Sequence, residues 1–145
     1  MLRWLRNWLE RLRRLPQASA LRAFGNRGER AAEAYLTARG YKILARQHRT
    51  AMGEVDLIAF VDQTVVFVEV KTRKSTAAGH PVEAVDRHKQ AQLTRLALAW
   101  LKRHNWLERR ARFDVIAILW PVTGEPEIRH YINAFEPTGE GQMFS

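Results

Sequence analysis

The chain has 145 residues, enough for one domain with its own core, and 46% of them are apolar, which argues against global disorder. It has no cysteine, which excludes disulfides, thiolate zinc sites and cysteine nucleophiles together and fits a reducing cytoplasm. Its 24 basic and 15 acidic side chains give a net charge of +9, so the expected partners are polyanions: nucleic acid or an acidic membrane surface. The excess is uneven, because residues 1–30 hold eight arginines against two glutamates. No apolar run approaches the roughly 20 residues that span a bilayer. Arginines interrupt every apolar stretch of the N-terminus, unlike a secretory signal.

Leu2, Leu5, Leu9 and Leu12 recur at helical spacing, with Trp4 and Trp8 widening the stripe and arginines on the other faces. This basic amphipathic segment ends at Pro16 and leads into a short linker, Gln17 to Ala20. An alanine-rich pattern predicts a helix from about Arg27 to Arg39, with Gly40 at its C-cap. Tyr41 to Arg49 reads as a strand. Glu54–Phe60 and Val65–Lys71 read as a hairpin closed by Val61-Asp62-Gln63-Thr64. Lys74 to Gly79 reads as a loop, and Pro81 can open a helical region that reaches His104, with a break near Asp86. Leu93, Leu96, Ala97, Trp100 and Leu101 form its core stripe. Strands follow over Phe113–Leu119 and Ile128–Phe135. Three parts result: an N-terminal extension (1–24), an α/β domain (25–136) and a loose tail (137–145). The expected fold is α/β, with a mixed central sheet of about five strands flanked by helices.

The hairpin carries the chemistry. Its register sets Asp56 opposite Glu69, each within an apolar strand. Like charges facing across strands are destabilising, and burial makes them costlier. A cation would make the pair tolerable. Lys71 leaves the same face of the strand as Glu69. Two carboxylates and an ammonium on one face are the parts of a metal-assisted phosphodiester-cleaving site. Asp56 and Glu69 could hold one Mg²⁺ or Mn²⁺, with the Val70 carbonyl as a third oxygen. The same register sets Glu54 opposite Lys71, so an ordinary ion pair is the plainer reading of that lysine. Arg73, Lys74, Lys89 and Gln90 are candidate phosphate contacts. Glu33 reads as a solvated helix residue. The five histidines lack ligand spacing and read as surface or loop residues. Trp100 and Trp106 read as core filler.

Four blocks in order, Gly25-x-x-Gly28-Glu29-x-x-Ala32, Gly40-Tyr41-x-Ile43-Leu44, Gly53-Glu54-Val55-Asp56-Leu57-Ile58-Ala59 and Val66-Phe67-Val68-Glu69-Val70-Lys71-Thr72-Arg73, resemble the YraN family. Arg112-Phe113-Asp114-Val115 and Ala134-Phe135 extend the likeness. That family is similar to a branch of the PD-(D/E)XK nucleases near the archaeal Holliday-junction resolvases. The resemblance implies a restriction-endonuclease-like core. It also implies that Asp56 and Glu69 are metal-binding acids, Lys71 the motif's lysine and Glu29 a further acidic ligand. Gln47 and Ala51 depart from the family pattern, in the substrate-facing loop rather than the acidic core.

The expected function is a Mg²⁺- or Mn²⁺-dependent endonuclease acting on DNA, branched or single-stranded. Two other readings stand beside it: a nucleic-acid-binding module without chemistry, and an adaptor tethered to a membrane or protein partner through residues 1–15.

Overall fold

The alanine-rich periodicity builds helix α1 (Ala20–Ala38), which starts earlier than the expected Arg27. A glycine inside a helix costs only about 1 kcal/mol, so Gly25 does not stop it. Gly40 ends it with a φ of +86°, and the Tyr41 amide returns to the Leu36 carbonyl at 3.0 Å. This computed structural model describes residues 20–74 and 85–138, with side chains from residue 26 onward. The leucine stripe of residues 2–12, Pro16, most of the loop after Lys74, and Pro81 lie outside the described residues.

Strands β1 (Lys42–Thr50), β2 (Gly53–Val61) and β3 (Thr64–Arg73) follow α1. Helix α2 (Arg87–Arg103), β4 (Arg110–Leu119) and β5 (Glu127–Phe135) complete the chain order. The five strands form one sheet in the order β1-β2-β3-β4-β5. β3 and β4 are parallel and the other neighbours antiparallel. A parallel pair needs a crossover, which the segment containing α2 supplies. The architecture is α/β, a mixed sheet flanked by two helices, consistent with a restriction-endonuclease-like core.

The hairpin register is the expected one, with Val61 opposite Thr64 and Leu57 opposite Val68. Asp62 and Gln63 both take positive φ, +47° and +59°, the type I′ geometry that matches strand twist. The expected break near Asp86 is the start of α2. The Asp86 carboxylate caps the helix by accepting from the Lys89 amide at 2.8 Å.

Alternate residues of β3 feed two cores. Val65 and Phe67 pack with Ile58, Phe113, Leu93, Leu96, Trp100 and Leu101 beneath α2. Val66 and Val68 pack with Leu57, Ile116, Ile118, Ala32 and Leu36 beneath α1. Trp100 lies edge-on to Phe67 and to Trp106, so both tryptophans are packing residues as expected. Each buried aliphatic side chain contributes roughly 1.5–3 kcal/mol, so the sheet's two apolar faces anchor both helices. Strict alternation fails in β2 at Asp56. Val55 packs in the α2-side core, whereas Leu57 packs in the α1-side core.

Candidate metal centre

The β2–β3 ladder ends at Leu57–Val68. One residue further, Asp56 turns its carboxylate to the neighbouring strand and its Oδ2 accepts from the Val70 amide at 2.8 Å. A side chain thus takes the place of a backbone rung where the strands part. Because they part, Glu54 does not meet Lys71. Glu54 pairs instead with Arg49, at 3.0 Å, and Lys71 lies 3.4 Å from Glu69 Oε1. The Glu54–Lys71 ion pair, the plainer alternative for that lysine, is therefore not formed, because β2 splays from β3.

α1 approaches the sheet through Gly28, where a Cβ would collide with the Thr72 hydroxyl. That close approach carries Glu29, the next residue, into the opening. Glu29, Glu54 and Asp56 offer carboxylate oxygens that all lie within 4.8 Å of one another. Gln47, held at a φ of +46°, donates from Nε2 to Glu29 Oε2 at 2.8 Å and to Asn26 Oδ1 at 3.0 Å. Glu69 sits beside this trio rather than within it and is buried, 6% exposed. Its Oε1 faces two ammonium groups, Lys71 and Lys89, the latter at 3.9 Å. Its Oε2 is buried without a hydrogen-bond partner.

The electrostatics are those of crowded anions. Burial, followed by repulsion from Glu69, pushes the Asp56 carboxyl well above its usual range, and the Val70 amide offsets only part of this. Burial raises Glu69 against the pull of Lys89 and Lys71. Burial also raises Glu29, opposed by the hydrogen bond from Gln47. Desolvation disfavours each charged form, and neighbouring carboxylates add to it.

This donor set fits a hard divalent cation. It offers only oxygen ligands, a buried carboxylate oxygen with nothing to accept from, and acids that neutralise at a cost when no cation is near. The described residues thus include a cluster of three acids able to bind a metal ion.

The structure brings together Glu29, Asp56, Glu69 and Lys71, the residues the sequence singled out, and adds Glu54. The signal for Glu54 was there, an acid two residues before Asp56 on the same strand, but the straight register assigned it to Lys71. Val70 contributes its amide to Asp56. Of the expected phosphate contacts, Lys89 turns inward, with Nζ 3.4 Å from the Glu54 carbonyl as well as near Glu69. Gln90 donates to the Val85 carbonyl at 2.9 Å. Arg73 donates to the Thr72 carbonyl at 3.0 Å, and Lys74 is exposed.

Three readings are corrected. Gln47, expected in a substrate-facing loop apart from the acidic core, lies on β1 and reaches that core through its bond to Glu29. Glu33 is half-buried and meets Arg46 through both carboxylate oxygens, because β1 passes beneath α1. His130 is no surface histidine. Its side chain is 5% exposed, lies against the rings of Tyr35 and Tyr41, and bonds Asp114 Oδ2 at 2.7 Å.

Comparison with known proteins shows the family to which the chain belongs. The profile of the uncharacterised protein family UPF0102 matches residues 28–118, from the close-approach glycine of α1 to the end of β4. A UPF0102 protein of Geotalea uraniireducens is 46% identical over 115 residues, 79% of this chain and 91% of that protein. One of Geobacter sulfurreducens is 49% identical over 112 residues, 77% of this chain and 88% of that protein. One of Rhodopirellula baltica is 42% identical over 125 residues, 83% of this chain and 74% of that protein. The matched span contains all four acids of the centre and both lysines at Glu69, and on that coverage the chain belongs to the family UPF0102, the YraN family.

Proposed function

We propose that the protein is a divalent-metal-dependent endonuclease that hydrolyses phosphodiester bonds in DNA, with branched and single-stranded DNA as the first substrates to try. The observation that carries this reading is the buried, partnerless Oε2 of Glu69 beside carboxylates that crowd one another. Glu29, Glu54, Asp56 and Glu69 would hold Mg²⁺ or Mn²⁺. A bound ion of this kind supplies a Lewis acid for a phosphoryl oxygen and makes water a nucleophile at neutral pH. Asp56 keeps its orientation through the Val70 amide, and Glu29 through Gln47. Lys71 places a positive charge at Glu69, where a phosphoryl group that gains negative charge in the transition state would be stabilised. Lys89 adds a second cation from the opposite helix. No described helix is long and apolar enough to cross a membrane, which suits this reading without fixing a compartment.

The test pairs calorimetric titration of Mn²⁺ with cleavage of nicked, flapped, four-way and single-stranded DNA. Asp56→Asn and Glu69→Gln, each confirmed as folded, should bind the ion at least about tenfold more weakly and lose cleavage by about a hundredfold or more. Cleavage at the parent rate by both variants would refute the assignment. Tight duplex binding with no cleavage under any divalent ion would favour a binding module instead.

A further inference from the structure

Between Asp86 and Glu108 the chain contains no acidic residue, yet it carries Arg87, Lys89, Arg95, Lys102 and Arg103. All of these lie on α2. Lys89 points to Glu69 and the Glu54 carbonyl. The other four are exposed, and at 100° per residue Arg87, Arg95 and Lys102 fall within about 80° of one another, opposite Leu93, Leu96 and Trp100, with Arg103 about 80° further round. None of the four forms an ion pair among the described residues. From Arg87 to Arg103 the ridge is about 24 Å long at 1.5 Å per residue. The first turn of this helix touches the acid centre, since Lys89 is two residues from Arg87 and the Gln92 side chain crowds Gly53 at the start of β2.

We infer that the outer face of α2 is a docking ridge for the phosphate backbone of a nucleic-acid duplex. Arg87, Arg95, Lys102 and Arg103 hold the duplex, and its path leads toward the acid centre. The inference rests on the phosphodiester reading of that centre and names the surface on which its substrate lies. Charge complementarity selects the partner. Duplex DNA carries one charge per roughly 1.7 Å of axis, so cations spread along about 24 Å of helix face a continuous row of phosphates. Composition selects duplex over single strand. Binding of unpaired bases uses exposed aromatic platforms, whereas the exposed apolar residues of this face are Leu98 and Ala99, and Trp100 is buried.

The test uses the full chain and a fluorescently labelled DNA duplex, with affinity read by anisotropy across a salt series. The Arg95→Gln/Lys102→Gln/Arg103→Gln variant changes only exposed helix positions and keeps good helix formers, so it should remain folded. Its slope of log affinity against log salt should be shallower than the parent's by about 2 to 3, and its affinity near physiological salt should fall about tenfold or more. A second variant, Arg27→Gln/Arg30→Gln/Arg39→Gln, removes the same net charge from exposed positions on and just after α1, on the other side of the sheet, and should keep the parent slope. Equal losses in the two variants would reduce the effect to net charge and overturn the ridge, as would no loss in the first. Unchanged duplex binding with lost binding to phosphatidylserine vesicles would assign the face to a membrane instead. Mn²⁺ titration separates the two readings. A parent that binds duplex through the ridge but takes up no Mn²⁺ defeats the nuclease reading alone.

Discussion

Two parts of the same sheet bury acids, and they do so in opposite ways. Asp114, on β4, is fully buried. Its carboxylate accepts from Arg112 Nε at 3.0 Å and from the Asn133 amide at 3.0 Å, and it bonds His130 Nε2 at 2.7 Å. Arg112 is tied in turn to the Tyr41 hydroxyl at 3.0 Å. Burial alone would raise the Asp114 carboxyl, but the bonds from His130, Arg112 and Asn133 overcome it and hold the group below its usual range. In the acid centre, burial wins. Asp56, Glu69 and Glu29 are all pushed up, and one oxygen of Glu69 has no partner. A buried acid whose lone pairs are all used holds the fold together. A buried acid left short of partners is held ready for something that arrives later.

The largest expected effect tests the satisfied half of this contrast. Asp114→Ala leaves Arg112 and His130 facing an empty, buried position, and losing one partner of such a network costs about 3–5 kcal/mol. Thermal unfolding should drop by about 10 °C or more. Mn²⁺ affinity of the folded fraction should stay at the parent level, because Asp114 is not among the clustered acids. A small thermal shift, or lost metal binding in protein that is still folded, would erase the distinction between the two acids.

Much of this contrast is legible in the chain. Alternation and turn residues give the hairpin, its register and the convergence of Asp56 with Glu69, because all of these are local. The place where β2 leaves β3 is not local. It depends on the Asp56 carboxylate replacing a rung at Val70 and on α1 pressing Gly28 against Thr72. For that reason a straight register sets Glu54 opposite Lys71 and apart from the acids. Glu33 and Arg46 meet only because β1 passes beneath α1. Asp114 carried the same signal that exposed Asp56, an acid inside an apolar strand, and its partner Arg112 stood two residues away. His130 and Tyr41 reach it from distant parts of the chain, and no spacing reveals that.

The second effect is smaller and opposite in sign. Asp56→Asn removes a carboxylate whose raised pKa means that the folded state holds its proton more tightly than the unfolded state does. Above its usual range that group destabilises the metal-free fold, and the penalty fades as pH falls through the raised value. The variant should therefore be more stable than the parent at neutral pH without metal, by about 1 kcal/mol, and its stability should depend less on pH. Asp114 behaves in the reverse way. Its lowered pKa gives stability that is present above the usual carboxylate range and is lost as pH falls through the lowered value. Divalent ions invert the first case, since ligation needs deprotonated carboxylates and so strengthens as pH rises. Unfolding temperatures of parent and Asp56→Asn across pH, with and without Mn²⁺, read both signs at once. A variant less stable than the parent in metal-free neutral buffer would mean that Asp56 serves the fold, as Asp114 does.

The smallest effect concerns Gln47, which ties Glu29 down from a left-handed backbone position. Non-glycine residues in that region cost of order 1 kcal/mol and persist where the surroundings hold them in place. Here the return is a hydrogen bond that lowers the Glu29 carboxyl against burial. Gln47→Leu removes the donor and keeps bulk at the site. Glu29 should then rise further, so Mn²⁺ binding should require higher pH and weaken severalfold near neutrality. Thermal stability should change by about 1 kcal/mol or less, the net contribution of a single hydrogen bond. The useful readout is the pH midpoint of Mn²⁺ binding. A general loosening of the fold would lower affinity at every pH and leave that midpoint in place, whereas loss of the bond that lowers Glu29 moves it upward.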